Sequence, residues 1–145
     1  MQESTETLMQ QCVEKIEAAY EFMLAYAAQG RKVEATSGAG PDGPSIRAFL
    51  ESMVWGLEHI VEGYVERVES MSLATEVKQQ CDNFAKLLSD DAASALTTVK
   101  MVLSVPSLSS QVIDNLNAST HLRCLLTDIF VIDEVLKIHQ QSKSK

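Results

Sequence analysis

Proline occurs three times in this 145-residue chain, at Pro41, Pro44 and Pro106, so nearly all of it is free of the residue that most strongly breaks helices. Glycine is also sparse, and Gly30, Gly38, Gly40 and Gly43 fall in or beside the same stretch as the first two prolines. Strict apolar/polar alternation is absent over any useful length, which removes the main signal for half-buried strands. The three cysteines, Cys12, Cys81 and Cys124, lie far apart and form no CxxC or CxxH pair, which argues against a disulfide framework or a zinc site. Each is read as a small apolar helix residue with an inert thiol.

No apolar run approaches the ~18 residues of a membrane span. The start, Met1-Gln2-Glu3-Ser4-Thr5-Glu6, is acidic and polar, unlike a secretory leader, so a reducing cytoplasm is the expected location. Twelve basic residues are scattered against twenty acidic ones, a net charge of -8. That balance disfavours a nucleic-acid partner, which requires clustered Lys and Arg, and an anionic membrane surface, which repels acidic chains.

What is present is helical periodicity. Residues 1–145 are expected to form one all-α domain, an antiparallel up-down four-helix bundle with a long loop between helices 1 and 2 and a kinked or broken fourth helix. The helices are expected at about Thr5–Gln29, from Pro44 or Ser45 to Met71, Leu73–Leu103 and Leu108–His139. Residues 31–45 read as a flexible loop because Gly, Pro and Ser dominate its centre, and residues 140–145 as a disordered tail. Gly30 is the expected terminator of helix 1, and Ser72 or Thr75 the cap of helix 3. In the fourth segment the apolar phase jumps across Asn115-Leu116-Asn117-Ala118-Ser119-Thr120, whose side chains compete for backbone hydrogen bonds and favour caps.

Trp55, the chain's only tryptophan, lies roughly opposite the centre of the stripe Ile46, Leu50, Met53, Leu57, Ile60, Tyr64 and Val68. It is therefore expected on the solvent side among carboxylates. With Glu51, Ser52, His59 and Glu62 around it, it is the candidate anchor of a protein-partner surface, because buried contacts favour Trp strongly.

Two helices carry more apolar surface than one core needs. Helix 1 spreads an arc of about 160° that includes Val13, Tyr20 and Leu24, and the last helix bears a second stripe at Val131, Val135 and Ile138. These six residues are the candidate homodimer interface.

Catalytic signals are weak. The Glu-x-x-His pairs of two-metal bundles are missing, and only the reverse order, His59 to Glu62, occurs. The linker glycines lack the Lys-Ser/Thr ending of a phosphate loop, and there is no Gly-x-Ser-x-Gly elbow. His121-Leu122-Arg123-Cys124-Leu125-Leu126 is partly similar to the phosphorylated box of histidine kinases but lacks its acidic residue and proline. The expectation is a non-enzymatic interaction, adaptor or regulatory protein without a cofactor or a resident metal. The alternative is a ligand- or metal-binding bundle, enzymatic or phosphotransferring, using Tyr20, Tyr26, Tyr64 and His121 as inward polar groups.

Overall fold

A computed structural model describes residues 6–34 and 45–143. Among them the chain is all-α: α1 Leu8–Ala27, α2 Ile46–Glu69, α3 Thr75–Leu103, α4 Ser110–Asn117 and α5 Thr120–Lys143, with no strand. The centre of the expected flexible loop, residues 35–44, and the last two residues of the expected tail lie outside the described residues.

Local chemistry explains most of the boundaries. Thr7 caps α1 in a reciprocal box: its hydroxyl accepts from the Gln10 amide while the Gln10 side chain accepts from the Thr7 amide. Ser45 and Ser109 cap α2 and α4 through their hydroxyls. At α3 the expected cap is replaced by Ala74, which makes no side-chain cap hydrogen bond. Gly30 takes φ +67 just beyond α1, two residues after the cap residue Ala28, and turns the chain away from the helix axis. α3 runs unbroken through Ser89-Asp90-Asp91 for 29 residues. Ala118 and Ser119 separate α4 from α5. Residues 140–143, expected as disordered tail, continue α5 as helix.

The core is one cluster that draws on every helix, including Ile16, Met23, Leu50, Ile60, Leu88, Leu108, Ile113, Leu125 and Ile129. α1 packs most extensively on α2, and two glycines explain how. A methyl group at Gly56 would meet Ile16 Cγ1 at 2.9 Å and the Cys12 carbonyl at 3.0 Å; one at Gly63 would meet the Met9 amide nitrogen at 2.7 Å. The absence of side chains at these two positions, seven residues apart, lets the backbones approach and brings Met9 and Cys12 onto α2. The order of these contacts, early α1 against late α2, makes the pair antiparallel.

A polar hub joins the end of α1 to the α3–α4 connection. The Arg47 guanidinium donates to both Glu34 carboxyl oxygens, at 3.1 and 2.9 Å, and to the carbonyls of Leu103 and Val105 at 3.0 and 3.1 Å. Glu34 also accepts from the Leu108 amide. Nearby, Arg31 and Ser110 exchange hydrogen bonds, Ser110 Oγ donates to the Tyr26 carbonyl, and the Tyr26 hydroxyl donates to the Leu108 carbonyl. Arg31 and Glu34, expected as part of a free loop, are therefore tied down on its α1 side.

Candidate partner-binding surfaces

The residues around Trp55 come together through the turns of α2, and the α1–α2 packing fixes their surroundings. Trp55 is half-buried and packed against the core, a correction to its expected place on the solvent side. The reason is the glycine seam. Because α1 approaches α2 along Gly56 and Gly63, α1 covers the flank next to Trp55, and α2 has two buried directions instead of one. One face of the indole lies against the His59 ring, with centroids 4.4 Å apart and planes at 26°, and Lys15 of α1 stands 5.5 Å from the indole centroid. His59 Nδ1 is held 2.8 Å from the Trp55 carbonyl. Ser52 and His59 are half-buried like Trp55, while Glu51 and Glu62 are exposed at the edges. The cluster is thus a partly covered aromatic ledge with one cation and two carboxylates, able to take a basic or amphipathic contact at its acidic rim.

The six expected interface residues divide. Val13 and Tyr20 are half-buried, and Val13 lines a cleft between α1 and the end of α5 that also holds Asp133, Lys137 and Gln140. Leu24 is exposed. Val131, Val135 and Ile138 stand exposed on the outer side of α5, and there they are joined by Phe130, which is 57 % exposed. Phe130 is the residue that sequence reasoning missed. It falls outside the stripe of Val131, Val135 and Ile138, and only the placement of α5 shows that its direction has no neighbour. At about 100° per residue, Phe130, Thr127, Glu134, Ile138, Val131 and Val135 share one outward arc. Beneath it, between α3 and α5, runs a groove of about 390 Å³ whose lining includes Tyr64, Val77, Phe84, Val131, Val135 and His139.

Other expectations shift. Cys124 is exposed, not apolar interior, whereas Cys12 and Cys81 are buried. Burial pushes the Cys12 thiol up to about 11. Of the polar groups expected inside the bundle, Tyr64 is buried with its hydroxyl committed to the Cys81 carbonyl at 2.8 Å and Tyr26 is committed to Leu108. Tyr20 is half-buried, and His121 is exposed because the start of α5 turns it outward. Among the described residues no three His, Cys, Asp or Glu side chains are gathered as metal ligands, and no helix is long and apolar enough to cross a membrane.

Comparison with known proteins finds no matching family model, no matching characterised protein and no matching solved structure.

Proposed function

We propose that this protein is a non-enzymatic helical interaction protein that pairs with a second copy of itself through the outer face of α5 and presents the Trp55 ledge to a protein partner. The observation that carries the reading is the row of Phe130, Val131, Val135 and Ile138, all well exposed on one helix. Contiguous apolar surface of this kind marks an interaction site more often than free surface. Charge does not oppose a second copy at this patch itself. Copies with a net charge of -8 repel one another over most of their surface, and these four side chains carry none. We further infer an antiparallel up-down arrangement in which α4 and α5 act together as a broken fourth helix, with Val13, Tyr20 and Leu24 flanking the interface, and a cytoplasmic location.

Sedimentation of the full chain tests the pairing. At tens of micromolar it is expected as a dimer, and Val131→Glu with Val135→Glu as a folded monomer, because an unpaired charge buried in an interface is strongly unfavourable. A monomeric unmodified chain at that concentration removes the reading.

The groove between α3 and α5 supports a second reading. Its size and mostly apolar walls suit a small apolar ligand. Mass spectrometry of organic extracts of the purified chain would reveal a co-purifying lipid-like or aromatic molecule, and a clean extract disfavours it.

A further inference from the structure

Asp128 is the one buried carboxylate among the described residues, 7 % exposed on the inner side of α5. Its Oδ2 is buried without a hydrogen-bond partner. It lines a cavity of about 420 Å³ in the α3–α5 seam, opposite a second carboxyl group, Asp91 of α3. Arg123 and Cys124 of α5 are the other titratable or charged groups on that lining; α1, α2 and α4 contribute no side chain to it. Arg123 forms no ion pair with Asp128 within salt-bridge distance.

Two ionised carboxyl groups are both acceptors and repel, so this pair gains a hydrogen bond only when one member carries a proton. We propose that Asp91 and Asp128 share a single proton across the α3–α5 seam, and that its loss to solvent loosens the seam. Burial is the main cause that pushes the Asp128 carboxyl up to about 7, and the neighbouring Asp91 carboxyl adds to the rise. Asp128 sits two residues before Phe130 of the exposed face and three before Val131, the first α5 residue lining the apolar groove, so a looser seam moves the walls of both. The proton switch stands without any docking at α5. Only its consequence for self-association rests on the function proposed above, so the two are measured separately.

The direct test is a carbon-detected NMR titration of the side-chain carboxyls in the full chain, repeated in Val131→Glu with Val135→Glu so that self-association does not enter. Asp128 is expected to titrate near neutrality. An Asp128 midpoint in the ordinary carboxylate range overturns the proposal. Thermal unfolding is expected to occur at lower temperature at pH 8 than at pH 6, and Asp128→Asn to abolish most of that difference; an unchanged pH profile in the variant also overturns it. Should Asp128→Asn not fold, Asp91→Asn is expected to move the Asp128 midpoint toward acid, and an unmoved midpoint shows that no proton is shared. Stabilisation at pH 8 by Ca²⁺ or Mg²⁺ beyond that of sodium chloride at equal ionic strength would identify a cation site and overturn the proton switch. Amide exchange in α5 at pH 8, faster than in Asp128→Asn at the same pH, is the expected sign of loosening, and equal rates would overturn that part.

Discussion

Gly63 of α2 lies so close to Met9 of α1 that a single added methyl group would stand 2.7 Å from the Met9 amide nitrogen and 2.8 Å from its Cα. Backbone atoms of a helix cannot move aside as a flexible side-chain end can. Gly63→Ala is therefore expected to destabilise the fold by about 1–3 kcal/mol, even though Ala is favoured over Gly within a helix by roughly 1 kcal/mol. Gly56→Ala meets a side-chain carbon of Ile16 first and should cost less than Gly63→Ala. Denaturant unfolding of the two variants gives the order, and a stabilised Gly63→Ala would contradict the close approach.

The Glu34–Arg47 pair ties the end of α1 to the α3–α4 connection, and it sets a pH dependence at the acid end. Hydrogen bonding from Arg47 is the main cause holding the Glu34 carboxyl below its ordinary range. A carboxyl lowered in the folded state contributes stability above its unfolded-state value and loses it as pH falls through the folded one. Arg47→Met should cost about 2–4 kcal/mol at pH 7, since Glu34 and two carbonyls lose their donor, and the difference from the unmodified chain should shrink below about pH 4. A constant difference from pH 7 to pH 3 would show that the charge of Glu34 is immaterial.

Trp55 is half-buried against the core, so its role in association cannot be isolated by truncation to Ala alone. Trp55→Ala is expected to lower stability by about 1–2 kcal/mol through lost packing. Glu51→Lys with Glu62→Lys, both at exposed positions, should leave stability within about 0.5 kcal/mol while weakening capture of a basic partner. Calorimetric unfolding separates the two effects, and an unchanged melting temperature for Trp55→Ala would return the residue to the solvent side.

Thiol accessibility follows burial. Ellman's reagent should modify Cys124 within minutes in the native state and reach Cys12 and Cys81 only on unfolding, because both are buried and the Cys12 thiol is held at about 11. Rapid reaction of all three in native buffer would show that the bundle opens far more readily than its packing implies.

The sequence by itself determined the helices. Their apolar stripes, the start of α2 near Ser45, the turn at Gly30 and the phase jump before α5 are local features, legible because turn chemistry and periodicity act over three or four residues. What only the tertiary structure decided is which directions are covered. Trp55 lies opposite its helix's apolar stripe yet is half-buried, since Gly56 and Gly63 bring α1 onto that side. Phe130 belongs to no apolar stripe of its helix, and its exposure shows only once α5 is placed with no neighbour on that side. Asp128 reads as an ordinary polar position until α3 sets Asp91 beside it. In each case the presence or absence of another helix decides, and no pattern within one helix encodes how closely, or on which side, a neighbour will pack.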